Sequence, residues 1–344
     1  MIISLNPINQ RRWKKFLENR RGKYSALLFM VLFTLSLFAN LIANDKPILV
    51  YFDKQLLSPA FVSYPETFFG GDFDTEADYH DPYVRQLINK KGWLINAPIP
   101  YSYDTHIDQL PSPAPSPPTL DNWLGTDDQA RDVLARVIYG FRISVLFALA
   151  LTIVSSIIGI AVGAIQGYYG GKIDLIGQRF LEIWSGLPVL FVLIILSSIV
   201  TPTIWWLLAI MLLFSWTQLV DVVRAEFYRS RNLDYVTAAK AMGIGNITIM
   251  YRHILPNATV ATLTFMPFIV TAAITTLTSL DFLGFGLPPG SASLGELVAQ
   301  GKANLHAPWL GITAFIVLSL LLTLLVFIGE AIRDALDPRL NVLS

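Results

Sequence analysis

The chain has 344 residues, 53% hydrophobic and only 15% charged, whereas soluble domains carry roughly 25% charged residues. Its 25 basic and 25 acidic residues balance, so no net field points to a nucleic-acid partner. Cysteine is absent, which excludes disulfides, thiolate metal sites and a thiol nucleophile.

Residues 1–23 form a basic segment with Arg11, Arg12, Lys14, Lys15, Arg20, Arg21 and Lys23. Tyr24–Ala43 is then the first of six apolar runs that match the ~20 residues needed to span a bilayer. It is too long for a signal-peptide core and lacks a small-x-small cleavage site, so it reads as a retained helix. Residues 44–121 are polar but dotted with aromatics, and are long enough for a small packed subdomain. They end in "PSPAPSPP" (Pro111–Pro118), which predicts an extended, semi-rigid strut.

The following stretch, "NWLGTDDQARDVLARVIYGFRISV", opens residues 122–330. Gly125 permits a tight turn, Thr126 is placed to cap a helix starting near Asp127, and Arg131 and Asp132 to anchor that helix at the membrane surface. The second run, Ile143–Ile165, carries Ser155, Gly159, Gly163 and Gly167 four apart, a small-residue face for close helix packing within the subunit. Ile183–Thr201 and Thr203–Val220 predict a tight hairpin broken at Pro202, with Pro188 inside the third run.

Between the fourth run and the fifth (Ala258–Leu280) lies the loop 235–257, "YVTAAKAMGIGNITIMYRHILPN". Tyr235, Ala238, Ala239 and Met242 recur at helical spacing as one face of a short helix. Gly243 is placed to end it and Asn246 to cap a second helix, with Pro256 at the start of the fifth run. Alanines bury too little area for a membrane anchor but suit docking into a protein cleft. Pro267 falls inside the fifth run. A glycine-rich turn and the sixth run, Pro308–Ile328, follow, and residues 331–344 form a tail.

Sixteen of the 25 basic residues fall on the side shared by both termini and the loop 235–257, so that side is cytoplasmic. From Asn44 to Phe141, seven basic residues face fourteen acidic ones, which places this segment outside. No ionisable side chain lies within the six runs, which argues against a proton-coupled carrier. The four histidines are scattered without ligand spacing, so no metal site is expected. No Gly-Lys pair is followed by Ser or Thr in a phosphate loop, so energy for active transport would come from a partner. A passive channel and a non-transporting scaffold remain open on these grounds.

The loop 235–257, with Thr237-Ala238-Ala239, Gly243 and Leu255-Pro256, resembles the coupling loop of ABC importer permeases, although Thr237 and His253 stand where that pattern has Glu and Ile. The stretch Asn122–Val145, with Ala130 in place of a usual glycine, is similar to the signature of dipeptide and oligopeptide permeases. "SLDFLGFGLPP" and "IRDALDPR" are similar to the same group, and "NPINQRRWKKF…NRRGKYS" and "NDKPILVYFD…FGGDFDTEADYHDP" look most like Yej-type permeases, the E subunit of peptide importers that also take up microcin C. The resemblance implies an all-α membrane protein of the bacterial inner membrane: six spans, one N-terminal plus a five-helix core, with a coupling helix and a large periplasmic insertion. It further implies a heterodimer with a second permease, cytoplasmic ATPase subunits that hold ATP and Mg, and a periplasmic solute-binding protein. The ATPase-coupling residues would be Tyr235, Thr237, Ala238, Ala239, Met242, Gly243, Leu255 and Pro256. The outer gate would use Gly125, Thr126, Asp127, Arg131 and Asp132. The chain itself would bind no cofactor and catalyse nothing; nickel or another small solute is the rival cargo to peptides.

Overall fold

The computed structural model describes residues 7–200 and 203–336. The predicted break at Pro202 and the tail from Asp337, including Arg339, lie outside the described residues.

Helix α1 (Pro7–Glu18) stops at Asn19, whose side-chain oxygen accepts the Gly22 N–H at 3.1 Å and starts α2 (Arg20–Leu37). The predicted first span is therefore not one helix. It turns at Phe38 into the single-turn α3 (Ala39–Ile42), where groups distant in sequence capture the last carbonyls. The Tyr139 hydroxyl donates to Ala43 O at 2.9 Å, and the Ile99 N–H to Ile42 O at 2.9 Å.

Outside this turn, β1 (Leu49–Phe52) is central in an antiparallel sheet with β2 (Gln55–Leu57) and β3 (Gly92–Ile95). Asp53 and Lys54 both have positive φ, 45° and 66°, as a two-residue hairpin matched to strand twist requires. Helix α4 (Pro82–Lys91), capped by Asp81, covers one sheet face, and Val50, Phe52, Phe69, Val84 and Ile88 form the core. The all-α expectation thus fails locally: β-branched and aromatic residues in "LVYF" and "GWLI" favour a pleated surface. The proline-rich stretch is no free strut either. Ser116 is buried and pairs through its backbone with Thr126, N–H to Oγ1 at 2.8 Å and carbonyl from N–H at 2.9 Å.

The remaining elements are helical. They are α5 (Val133–Tyr169), α6 (Gly171–Ser185), α7 (Val189–Ile199), α8 (Ile204–Ser215), α9 (Thr217–Ser230), α10 (Asp234–Ala241), α11 (Asn246–Thr248), α12 (Leu255–Phe282), α13 (Leu294–Ala303) and α14 (Pro308–Leu336). Among the described residues, four helices are long and apolar enough to cross a membrane: α5, α8–α9, α11–α12 and α14. The bent pair α6–α7 makes a fifth if it is one span. Cations at Arg20, Arg21 and Lys23 leave only residues 24–37 of α2 uncharged, so it falls short of that criterion. The predicted third span is also not a straight helix. Pro188 sits at its start rather than within it, and α6 and α7 meet at 73° because proline has no N–H to continue the ladder.

Glycines set the tightest helix contact. A Cβ on Gly159, Gly163 or Gly167 would lie 2.5, 2.7 or 2.4 Å from the carbonyl oxygens of Trp216, Val220 and Arg224 on α8–α9. Ser155 is buried in line with them. The small-residue face therefore packs inside the subunit, as its spacing predicts. Around this seam, Leu151, Leu193, Ile210, Ile274 and Leu321 knit α5, α7, α8, α12 and α14 together.

Candidate functional site

The loop between α9 and α12 presents one surface. Helix α10 buries Val236 and Ala239 against Ile249, Ile254, Ala258 and Phe227. Ala239 is 1% exposed, whereas Tyr235, Thr237, Ala238 and Met242 face outward, Met242 at 72%. The predicted single face is thus split: Ala239 turns inward with Val236, while Tyr235, Ala238 and Met242 stay outward.

 Val236 and Ala239 together point inward, one turn apart. Gly243, at φ +78°, ends the helix as its position predicts: the Ile244 N–H reaches Ala239 O at 3.1 Å, the closing bond of a left-handed cap.

Asn246 does not cap the next helix through its side chain. Its Oδ1 accepts the Tyr168 hydroxyl at 2.8 Å and ties the loop to the end of α5. From Ile249 to Ile254 the backbone is a π-helix that runs straight into α12. Pro256, at the first turn of α12, has no N–H for the carbonyl four residues earlier, and the widened turn absorbs that loss. Leu255 packs on the same cluster as Ala239. The loop is therefore a rigid ledge on α5, α9 and α12, with an apolar outer edge.

At the other end of α5 lies the second predicted group. Gly125 makes its turn at φ +72°, and a Cβ there would meet Ser116 O at 2.7 Å. Thr126 does not cap a helix; its hydroxyl takes the Ser116 N–H, and the helix begins only at Val133. Asp132 is the cap, accepting the Ala135 N–H at 2.8 Å and the Asn122 side-chain amide at 2.8 Å. Burial pushes its carboxyl above the usual carboxylate range, partly offset by these hydrogen bonds.

Asp127 and Arg131 are both buried and paired at 2.7 Å. Two residues that the sequence reading missed complete the group. Arg136 lies 3.3 Å from Asp127, and Glu296 on α13 reaches Arg131 at 3.1 Å and Arg136 at 2.8 Å. Glu296 is 160 residues from Arg136, so no local pattern could join them. The quartet has two charges of each sign and cross-links the signature loop, α5 and α13.

Within the bundle, a cavity of about 200 Å³ sits at the α6–α7 bend. Trp184, Ser185, Ser215, Thr217, Gln218 and Thr276 give it uncharged hydrogen-bonding groups among apolar neighbours. Among the described residues, no cluster of His, Asp and Glu has metal-ligand geometry.

The sequence pattern of the family described as "Binding-protein-dependent transport system inner membrane component" matches residues 155–342. The chain is 59% identical over 334 residues to the "Inner membrane ABC transporter permease protein YejE" of Escherichia coli (strain K12), covering 97% of this chain and 98% of that protein. It is 56% identical over 358 residues to the "Peptidoglycan transport system permease protein YejE" of Agrobacterium fabrum, covering 97% and 94%. Over 220 residues it is 36% identical to the "Dipeptide transport system permease protein DppC" of Haemophilus influenzae, covering 63% and 74%.

Proposed function

The chain belongs to the family of inner membrane components of binding-protein-dependent transport systems, and from that premise we propose that it is a permease subunit of an ATP-driven importer of peptides. The cargo class follows the peptide permeases it resembles, with peptidoglycan-derived peptides and peptide antibiotics of the microcin C type as its narrower members. The chain pairs with a second permease, receives cargo from a periplasmic binding protein, and is driven by cytoplasmic ATPases that hold ATP and Mg. Both termini are cytoplasmic, and α2 with α3 supplies a sixth crossing beside the helices that meet the length criterion.

The observation that carries this reading is the ledge formed by α10. Its buried side, Val236 and Ala239, locks it to α5, α9 and α12, while Tyr235, Ala238 and Met242 stay exposed on its outward side. A surface held this way transmits force from a docked partner into the spans instead of absorbing it locally. Rocking of those spans between inward-open and outward-open states then moves the peptide.

The test is reconstitution of the chain with its permease and ATPase partners in vesicles, comparing Met242→Glu with the native chain. The expected result is intact assembly of the spans, with ATP hydrolysis no longer linked to peptide uptake. Peptide flux that persists without ATP would replace this reading with a passive channel.

A further inference from the structure

The N-terminal helix is left unused by the mechanism above. Its exposed apolar residues do not stop where the membrane helix begins. Trp13 and Leu17 on α1 continue through Tyr24, Leu28, Val31 and Leu35 on α2, at steps of three, four or seven residues. Within each helix those steps keep them on one side of consecutive turns, and Asn19 separates the two helices. Among the described residues Trp13 is 57% exposed and Tyr24 62%. On α2 these residues are exposed on a helix that packs its other side against α14 and α5. On α1 the exposed apolar residues continue past the point where the helix acquires charge.

The charge is concentrated in the same segment. Arg11, Lys14, Arg20, Arg21 and Lys23 are exposed, and Glu18 is the one acidic residue between Arg11 and Lys23. Lys23 lies over the Tyr24 ring, 5.8 Å from its centre. Helix α1 also packs against α14, which holds it beside the bundle rather than free of it. Its break from α2 at Asn19 lets it take its own direction at the membrane surface.

We infer that α1 is an interfacial helix that seats Trp13 and Leu17 among acyl chains and gathers anionic phospholipid headgroups around Arg11, Lys14, Arg20 and Arg21. Two features select lipid over a protein partner. The exposed apolar residues of α1 adjoin those of α2 across Asn19, and the charge beside them complements an anionic leaflet. Clusters of four to eight basic residues next to a membrane helix, about 1 kcal/mol each near the surface, bind such leaflets. Aromatic residues favour the same interfacial depth. The inference rests on the membrane placement of the chain but not on peptides or ATPases, so a failed uptake assay would leave it standing.

The chain has no cysteine, so Leu17→Cys in the full-length protein can carry a single nitroxide. In bilayers of mixed phosphatidylglycerol and phosphatidylcholine, the label should meet dissolved oxygen more often than a water-soluble nickel chelate. The lipid that co-purifies in mild detergent should be enriched in phosphatidylglycerol. Replacing Arg11, Lys14, Arg20 and Arg21 together by Gln should reduce that enrichment roughly fivefold or more. A label that meets the nickel chelate as freely as a water-exposed loop would overturn the inference. So would equal retention of the two lipids by the native chain.

Discussion

Arg136 on α5 donates to Glu296 on α13 at 2.8 Å, across 160 residues of sequence. Arg136 is fully buried, so its charge depends on Glu296 and Asp127 for compensation. Glu296→Gln should leave two arginines facing Asp127 alone and destabilise the outer end of the bundle by about 2–4 kcal/mol, somewhat less than for a fully enclosed pair because Glu296 is partly exposed. Thermal unfolding in detergent would read this as a lower midpoint. An unchanged midpoint would mean that the quartet is already solvated.

Ala130 has φ +58°, in the left-handed region that β-carbons disfavour. Ala130→Gly should therefore stabilise the signature turn by about 1 kcal/mol. The check is a raised unfolding midpoint without any change in assembly.

Ala239 and Ala238 should part company on substitution. Ala239→Leu overfills the cluster around Val236, Ile249 and Ile254 and should cost about 1–3 kcal/mol. Ala238→Leu points outward and should leave stability unchanged while weakening ATP-linked uptake. Equal losses of stability would show that α10 is packed differently from this arrangement.

Gly163→Val should separate α5 from α9, since a β-carbon there already meets Val220 O at 2.7 Å. A cost of about 1–3 kcal/mol follows from overpacking a helix seam that has no room to shift. Native expression with an unchanged unfolding midpoint would count against the seam.

Asp45, next to the β-sheet subdomain, has its carboxyl raised above the usual carboxylate range by burial and then by the nearby Asp104. A raised acid means that the folded state binds protons more readily than the unfolded one. Stability from this group therefore falls as pH rises from the ordinary value through the raised one, and at neutral pH its charge is a net cost. Asp45→Asn should make the subdomain more resistant to proteolysis near pH 7, with the advantage shrinking towards about pH 4. An advantage that is constant across that range would rule out the carboxyl as its source.

The amino-acid sequence by itself determined that the chain is a membrane protein of helices, where the small-residue seam lies, and that the loop 235–257 is more than a linker. Composition, spacing of four and glycine at a left-handed position are local properties, so they survive without knowledge of the fold. It also carried the turn at Gly125. Only the tertiary structure decided which side of α10 is buried, because Val236 and Ala239 lie inward only in relation to α5, α9 and α12. The same is true of the outer quartet. Asp127 and Arg131 are legible in the sequence as members of one outer signature, but their pairing and its completion by Arg136 and Glu296 arise only in the fold, through the packing of α13 on α5. Charge compensation in a buried site depends on distance in space, and distance in space is what a linear sequence does not contain.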